Sequence, residues 1–491
     1  MLQYRVYFVC CLIVGISLAA VPPGAFAQPA IAGTLRVHPD NPRYFTTDGK
    51  RAIYLTGSHT WANLQDGGYR GVTENFNYLR YLDFLDHYHH NFIRLWTWEH
   101  TSYSHGHLQR IRWNPTCFLR TGPGNALDGY PKYDLNSVNQ AYLDRLRNRV
   151  AIAQQRGIYV SVMLFQGFSV SQKTNKPVDP AKGNPWAGHP FHRDNNINGI
   201  NGDLNGDGKG DEIHTLAIPT VTKIQEAYVR RVIDTINDLD NFIWEIGNEL
   251  PGASTEWQYH IIRFIKEYEF SKPKQHPVLM TFQWDASDRG TNAALFNSPA
   301  DAVSPAAESQ EDYKFDPPPA DGSKIIISDT DHLWGVGGSE AWVWKSFCRG
   351  LNPIFMDPYD DIGDSPLPKG IIDGRKKASK WESTRRAMGD ARRYAERMNL
   401  AAMAPQGALS STGYCLANPG VEYLVFSLEG KPFTVDLSAA SGRLAVEWFD
   451  VVAGETSSAR SITAGKKAQR FTPPRSFPRD AVLYLHQPVA E

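Results

Sequence analysis

The sequence has little of several features that would place a protein in a specialised class. It has 5 cysteines, and only Cys117, Cys348 and Cys415 lie beyond the N-terminal apolar run, so neither a disulfide scaffold nor a CxxC-type metal site is expected. Lys plus Arg number 51 and Asp plus Glu 52, so no polybasic face suggests nucleic acid or an anionic membrane as a partner. No later stretch is apolar enough to cross a bilayer, and no HExxH motif suggests zinc.

The N-terminal residues have the pattern of an export signal. Arg5 supplies a positive charge, residues 6–20 are mostly apolar, and Ala25 to Ala27 form a small-x-small cleavage site. A transmembrane anchor is the competing interpretation, but the apolar run is short and two prolines follow it at once. We therefore predict that residues 1–27 are a signal peptide and that the protein is secreted or periplasmic.

Between residues 51 and 359, short β-rich runs alternate with helix-like segments, which is typical of a parallel α/β fold. The strands are predicted at 52–57, 91–96, 158–165, 242–246, 278–282, 302–304, 324–328 and 353–356. Eight strands is the number of a (β/α)8 TIM barrel, and the short run 302–304 is included because the barrel needs it. A doubly wound sheet is the alternative, but no Gly-rich phosphate loop follows the first run.

Helical spacing supports this division of the chain. Apolar positions recur at helical intervals in residues 138–155 and 220–239, and the segment 377–398 is predicted to close the barrel. From residue 413 the pattern changes to strands at 422–427, 433–437, 443–449, 469–472 and 481–485. We predict a barrel over residues 28–400 and a small all-β sandwich domain over 401–491.

Functional residues of a (β/α)8 barrel lie at the C-terminal ends of its strands. Here these positions carry acidic, amide and aromatic side chains, which suits a sugar ligand. The alternatives are that the tryptophans pack at the barrel rim and that the arginine pairs with a carboxylate. The candidate substrate-binding residues are His59, Trp61, Arg94, Trp96, Trp98, Gln166, Asn248, Trp284, His332, Trp334, Asp357 and Tyr359.

Three carboxylates are candidates for catalysis. Glycoside hydrolysis needs two carboxyl groups, and the chain offers Glu249 after the fourth strand and Asp329 or Asp331 after the seventh. The segment 243–249, Ile-Trp-Glu-Ile-Gly-Asn-Glu, resembles the fourth strand of clan A glycoside hydrolases. That resemblance implies that Glu249 is the acid/base and that Asn248 bonds the sugar hydroxyl next to the anomeric carbon.

The whole mature chain also resembles the apiosidase-like group of these enzymes, in which a small β domain labelled as collagen-binding follows the barrel. The segments 423–426, 433–437, 446–450 and 481–485 carry this second resemblance. Nothing in their sequence explains collagen binding. The alternative hypothesis that the protein adheres to host matrix therefore rests on that label alone.

The seventh strand departs from the clan A pattern, since Asp329 stands where Glu is usual. We choose Asp329 as the second carboxylate because it directly follows the apolar strand, with Asp331 as the other candidate on the same face. The shorter side chain leaves a retaining and an inverting mechanism both open. It also leaves open a carbohydrate-binding protein that has lost catalysis.

A separate acidic segment, residues 203–211, resembles the start of a calcium loop. Asp203, Asn205, Asp207 and Asp211 are the candidate ligands, and a glycine stands at the sixth position. His214 replaces the usual glutamate at the twelfth, so a plain Asx-rich turn is the alternative. We predict a carbohydrate substrate, no cofactor required for catalysis, and a possible structural calcium.

Overall fold

The computed structural model describes residues 29–68, 75–103, 111–170, 184–284, 288–359, 378–465 and 467–488. The predicted signal peptide, residues 1–27, lies outside the described residues. In these ranges there is no helix with the length and apolar character needed to span a membrane.

Eight parallel strands form one sheet, and neighbours in sequence are neighbours in space. The strands are β1 (Gly57–His59), β2 (Phe92–Leu95), β3 (Tyr159–Gln166), β4 (Phe242–Asn248), β5 (Val278–Thr281), β6 (Ala302–Ser304), β7 (Ile325–Asp329) and β8 (Asn352–Met356). Their hydrogen-bonded order is β1-β8-β7-β6-β5-β4-β3-β2. The amide of Phe92 donates to the carbonyl of Thr56 at 3.2 Å, which brings β2 against β1. The predicted (β/α)8 barrel is confirmed, including its short sixth strand.

The first strand was predicted in the wrong place. Residues 52–57 do not form it, because the amides of Leu55 and Thr56 donate to the side chains of Asn352 and Asn91 instead of to a strand. The strand begins at Gly57, where β1 and β2 approach closely. A Cβ atom at position 57 would lie 2.2 Å from the carbonyl oxygen of Phe92, so this position requires glycine.

Helices surround the sheet and bury their apolar faces against it. They are α1 (Tyr78–His87), α2 (Gln140–Gln155), α3 (Pro219–Ile236), α4 (Thr255–Phe270), α5 (Asn292–Phe296), α6 (Thr330–Leu333), α7 (Glu340–Cys348) and α8 (Glu382–Arg397). In α2 the positions that share the predicted apolar face are all buried. The helix predicted at 377–398 begins later, at Glu382, and residue 377 lies outside the described residues.

Several short strands and 3-10 turns lie outside the barrel sheet and its α-helices. Antiparallel pairs join Arg36–Val37 to Phe45–Thr46 and Phe118–Asn125 to Pro131–Val138, and a third small sheet contains Asp66–Gly68, Ser102–Tyr103 and Ile111–Asn114. Single 3-10 turns lie at Gly167–Ser169, Pro185–Gly188, Asp211–His214, Gly252–Ser254, Ala378–Trp381, Leu400–Ala402, Gly407–Leu409 and Leu428–Gly430. Most of these elements lie in the loops that follow the barrel strands.

The C-terminal part is an antiparallel β domain of two sheets. Six strands form the larger sheet: Ala404–Pro405, Cys415–Asn418, Glu422–Ser427, Ala481–His486, Arg443–Asp450 and Glu455–Thr463, in that order. Phe433–Val435 and Gln469–Phe471 pair as the smaller one. Apolar side chains from both sheets pack between them, among them Val425, Phe433 and Leu483. The predicted sandwich is confirmed, although the strands at 404–405, 415–418 and 455–463 were missed.

The other face of the larger sheet packs on the barrel. The rings of Trp344 in α7, Tyr394 in α8 and Phe449 lie 5.6–5.7 Å apart. The hydroxyl of Tyr394 donates to the Glu447 carboxylate at 2.7 Å. The β domain therefore shares a core with the outer helices α7 and α8.

Candidate functional site

Arg94, at the end of β2, is the centre of a buried polar cluster inside the barrel mouth. Its Nε and Nη2 atoms donate to Glu245, at distances down to 2.5 Å. Its Nη1 donates to Asp329 at 2.9 Å and Asp331 at 3.0 Å, and its Nη2 also donates to Asn248 at 2.8 Å. Since a guanidinium has five N–H groups, these contacts use all of them. The geometry therefore favours a positioning role for Arg94 over direct sugar binding.

Asp329 ends β7 and its carboxylate is enclosed by donors. Oδ1 accepts from Nε2 of His59 at 3.0 Å and from the amide of Asp331 at 2.9 Å, while Oδ2 accepts from Arg94. Burial favours the neutral carboxyl, but His59 and Arg94 together outweigh it and hold the pKa of Asp329 far below its usual value. This side chain, 1% exposed, also caps the N-terminus of α6. Asp329 is thus charged at neutral pH and held in place.

The protonation of His59 follows from its two partners. Its Nδ1 accepts from the indole Nε1 of Trp96 at 2.9 Å. Because an indole N–H can only donate, Nδ1 carries no proton, and the proton on Nε2 faces Asp329. His59 is therefore a neutral donor to that carboxylate.

Asp331 is held more loosely than Asp329. Its Oδ2 accepts from Arg94 at 3.0 Å and lies 3.9 Å from Nε2 of His332. Its Oδ1 accepts no hydrogen bond from a described residue. The sequence argument put Asp331 on the same face as Asp329 by the alternation of side chains along a strand, but the strand ends at Asp329 and α6 begins at Thr330. Both aspartates nevertheless contact the same nitrogen of Arg94.

Polar side chains from β3, β4 and β6 continue the cluster. Asn248 Oδ1 faces Nε2 of His332 at 3.3 Å, and its Nδ2 donates to Gln166 at 3.3 Å. The other nitrogen of His332 lies 2.9 Å from Ser304 Oγ. Burial lowers the pKa of His332, so its ring is neutral near pH 7. The predicted residues Asn248, Gln166 and His332 are thus brought together with the strand-seven aspartates.

Glu249 follows Asn248 and has a backbone conformation that residues other than glycine rarely adopt. Its φ is 49°, in the left-handed region, and the residue is partly buried. Space for its backbone depends on Gly167, where a Cβ atom would lie 2.1 Å from the carbonyl oxygen of Glu249. Backbone strain held by close packing is common at functional sites, so this observation supports a role for Glu249.

The predicted tryptophans divide into a buried stack and two partly exposed rings. The Arg94 guanidinium lies 5.0 Å from the Trp96 ring, which stacks on Trp98 at 5.7 Å, and Trp98 stacks on Trp113 at 4.6 Å. Trp61 lies 6.3 Å from Trp96, and all four rings are buried. This stack fixes Arg94 from one side, whereas Trp284 and Trp334 lie at the rim.

Asp357 and Tyr359 lie apart from the Arg94 cluster. Asp357 is fully buried and accepts from Arg385 of α8 at 2.5 and 2.7 Å. Tyr359 is buried against the rings of Tyr81 and Phe84, 5.2 and 5.1 Å away. The ion pair of Asp357 fastens the loop after β8 to the last barrel helix.

Sequence reasoning missed Glu245, which lies inside β4 and not at its end. Its carboxylate pairs with Arg94 and accepts from Ser161 at 2.8 Å. The missed signal is a charged residue in each of two apolar strands, Arg94 in β2 and Glu245 in β4. Buried charges are almost always paired, so each predicts the other.

A second buried cluster, also missed, surrounds Glu99. Its Oε2 accepts from the amide of Gln166 at 2.7 Å, and Nε2 of His189 and of His214 each lie 3.5 Å from one of its oxygens. Burial favours the neutral form, but the two histidines outweigh it and lower the pKa of Glu99 to about 2. This cluster ties the loop after β3 to the loop after β2.

The acidic segment 203–211 folds as a series of tight turns. Asp203 accepts from the amides of Gly206 and Gly208 at 2.7 and 3.1 Å, and Asn205 accepts from Asp207 at 2.8 Å. Such contacts belong to Asx turns as well as to calcium loops. Among the described residues, no group of three or more His, Cys, Asp or Glu side chains is arranged to hold a metal ion. Calcium at Asp203, Asn205, Asp207 and Asp211 stays a prediction.

Known proteins resemble this chain in parts of its sequence and in its fold. Residues 84–296 match a family described as "Domain of unknown function (DUF6298)", and residues 406–486 match one described as "Putative collagen-binding domain of a collagenase". No curated protein matches the chain.

Two solved structures share its architecture. One is a family 5 glycoside hydrolase from Bacteroides vulgatus ATCC 8482, with 16% identity, 93% of this chain and 94% of that chain covered, and a TM-score of 0.57. The other is described as "Glycoside hydrolase", with 15% identity, 93% and 97% coverage and a TM-score of 0.57. At these identities the likeness establishes the fold, a barrel followed by a β domain.

Proposed function

We propose that this protein is a glycoside hydrolase that uses Glu249 and a strand-seven aspartate as its two carboxylates. The observation that carries the proposal is the polar cluster around Arg94. Asn248, which precedes Glu249, shares the Arg94 guanidinium with Asp329 and Asp331 at the C-terminal end of the barrel. Glu249 follows Asn248 directly, so the end of β4 and the strand-seven aspartates lie at the same end of the barrel, where barrel enzymes hold their active sites.

Glu249 would be the acid/base in this proposal. The residue is partly exposed, whereas Glu245 and Asp329 are fully buried. A group that protonates the leaving oxygen must reach the substrate. Its strained backbone further indicates that its position is held for a purpose other than stability.

For the second carboxylate, the hydrogen bonds favour Asp331 over our first choice, Asp329. Both oxygens of Asp329 are occupied by His59, Arg94 and a backbone amide. Asp331 keeps Oδ1 free of hydrogen bonds from described residues, so this atom could attack the anomeric carbon or activate water. Asp329 would then position Arg94 and α6, which carries Asp331.

The charge balance of the cluster suits a cationic transition state. Glu245, Asp329 and Asp331 surround one guanidinium, and His59 is neutral. An excess of fixed negative charge would stabilise the positive charge that develops on the sugar ring as the glycosidic bond breaks. Asn248, oriented by Arg94 and Gln166, would donate to a neighbouring hydroxyl through Nδ2.

Two further observations support the proposal. Two solved structures that each cover 93% of this chain are described as glycoside hydrolases. The export pattern of residues 1–27 suits an enzyme that meets polysaccharides outside the cytoplasm, so we propose a secreted or periplasmic location.

The test is hydrolysis of aryl glycosides and polysaccharides by the wild-type protein and Glu249→Gln. We expect wild-type turnover of at least one substrate and its loss in the variant. The rival function, a carbohydrate-binding protein without activity, is favoured by the aspartate in place of glutamate on β7. Sugar binding without turnover by the wild-type protein would establish that rival.

A further inference from the structure

We infer that Arg289 is an anion receptor at the barrel mouth and that the sugar bound there is acidic, bearing a carboxylate or a sulfate. This inference rests on the proposed function and extends it to the class of substrate. It comes from residues outside the Arg94 cluster, in the loops that follow β5, β6 and β7.

The backbone around Arg289 is fastened beside Glu249. The amide of Gly252, three residues after Glu249, donates to the carbonyl of Asp288 at 2.7 Å. The amide of Ala253 donates to the Asp288 carboxylate at 2.6 Å. A Cβ atom at position 252 would lie 3.2 Å from the Arg289 carbonyl, so the two loops are in contact. Arg289 therefore belongs to the same rim as the proposed acid/base.

The guanidinium of Arg289 is held in one place. It lies 4.4 Å from the Trp284 ring and 5.0 Å from the Phe282 ring, and Nη2 donates to the carbonyl of Ala307 at 3.2 Å. Stacking on aromatic rings orients the planar fork of an arginine. An arginine fixed in this way loses little side-chain freedom when it binds an anion.

Arg289 has no acidic partner within the described ranges. The carboxylates of the adjoining segments accept from other donors: Asp288 from the Ala253 amide, Glu308 from the Asn292 amide at 3.1 Å, and Glu311 from the Asn292 side chain at 2.7 Å. The Arg289 residue is exposed, and a guanidinium with one hydrogen bond to Ala307 keeps several N–H donors free. Such a fork matches a carboxylate or sulfate in two-point contact.

A second cation lies on the next loops. Nζ of Lys314 is 5.2 Å from the Trp334 ring and 5.7 Å from the Phe315 ring, which is 63% exposed. No ion pair joins Lys314 to a described carboxylate. Exposed rings can stack on the CH face of a sugar while the cations pair with its charged groups. A neutral sugar would use the rings alone.

The experiment compares glycans that differ only in charge. The probes are polygalacturonate with its methyl ester, hyaluronan with its carboxyl-reduced form, and a sulfated galactan with its desulfated form. Binding is measured by affinity electrophoresis and calorimetry on Glu249→Gln, so that no bound glycan is cleaved. The same variant is combined with Arg289→Gln or with Arg263→Gln. Arg263 is a matched control, since it is exposed and lies over Tyr259 on the outer helix α4.

We expect the charged member of at least one pair to bind about tenfold more tightly, because a hydrogen bond to a charged group contributes about that factor. Arg289→Gln should remove this preference, and Arg263→Gln should keep it. Preference in the uronate pairs identifies a carboxylate, and preference in the galactan pair identifies a sulfate. Equal binding within every pair, no binding to any probe, or a preference that survives Arg289→Gln would overturn the inference.

The two proposals fail in different ways. If the wild-type protein hydrolyses neutral glycans and shows no charge preference, Arg289 is not a receptor while the glycosidase stands. If it hydrolyses nothing but binds charged glycans through Arg289, the receptor stands and the glycosidase fails.

Discussion

Nε2 of His59 donates to Oδ1 of Asp329 at 3.0 Å, and because Nδ1 of that ring already accepts from an indole, the histidine can only be a neutral donor here. This contact distinguishes Asp329 from Asp331. We propose that Asp329 holds the framework of the site and that Asp331, two residues later in α6, is the reacting carboxylate.

The first prediction concerns the stability contributed by Asp329. Asp329→Asn should lower the free energy of unfolding by about 3 to 5 kcal/mol, because the buried carboxylate that it removes pairs with Arg94, accepts from His59 and caps α6. Urea unfolding measures the loss. Asp331→Asn, which leaves the His59 contact intact, should cost much less. Equal losses in the two variants would contradict the division of roles.

The second prediction concerns the activity of Asp331. Asp331→Ala should be nearly inactive at full folding, since it removes the proposed second carboxylate. If the enzyme retains configuration, azide should restore part of its turnover by attacking the anomeric carbon instead. Asp329→Asn, assayed at a temperature where it is folded, should keep measurable turnover. The reverse ranking would return the role to Asp329.

The third prediction is that Glu249→Gln lowers turnover at least about a hundredfold, because general acid catalysis contributes that much or more. The loss should be largest on substrates with poor leaving groups, which need protonation most. Glu256→Gln, an exposed change on α4, is the control and should leave turnover unchanged. An undiminished rate in Glu249→Gln would remove this residue from the mechanism.

The fourth prediction is a pH dependence from Glu99. Its pKa is about 2 in the folded protein against an ordinary value of 4.5, because two histidines outweigh the effect of burial. A carboxylate whose pKa is lowered by folding stabilises the folded protein at pH values above its ordinary pKa. This contribution to stability is lost as the pH falls towards 2. The melting temperature of Glu99→Gln should therefore lie below wild type at pH 7. The difference in melting temperature between the two proteins should narrow between about pH 4.5 and 2. A constant difference would show that the charge of Glu99 does not contribute to stability.

The fifth prediction concerns the acidic loop. Calcium should raise the melting temperature by a few degrees, through ligands at Asp203, Asn205, Asp207 and Asp211, without changing turnover. Chelator should reverse the shift, and Asp207→Asn should weaken it. A melting temperature that changes with neither calcium nor chelator would show that the segment is a plain Asx turn.

Part of the candidate site could be predicted from the sequence. The segment that ends in Asn248 and Glu249 forms β4 and the mouth position that its pattern predicted, because an apolar run in a parallel sheet leaves its polar residues at the strand end. His59, Arg94, Asn248, Asp329 and Asp331 were all found by the same rule, and they do contact one another. Glu245 was missed because that rule inspects strand ends only.

The alternation of strands and helices and the change to β structure near residue 400 could be predicted from the sequence alone, since these depend on local periodicity. The sequence could not decide between Asp329 and Asp331, which are two positions apart on one short segment. They differ in the folded chain because His59 and the start of α6 donate to Asp329, whereas one oxygen of Asp331 accepts no hydrogen bond from a described residue. The tertiary structure likewise decided that Arg289 lies at the barrel mouth without an acidic partner among the described residues. Local patterns predict which atoms can form contacts, and the folded chain decides which of those atoms are already occupied.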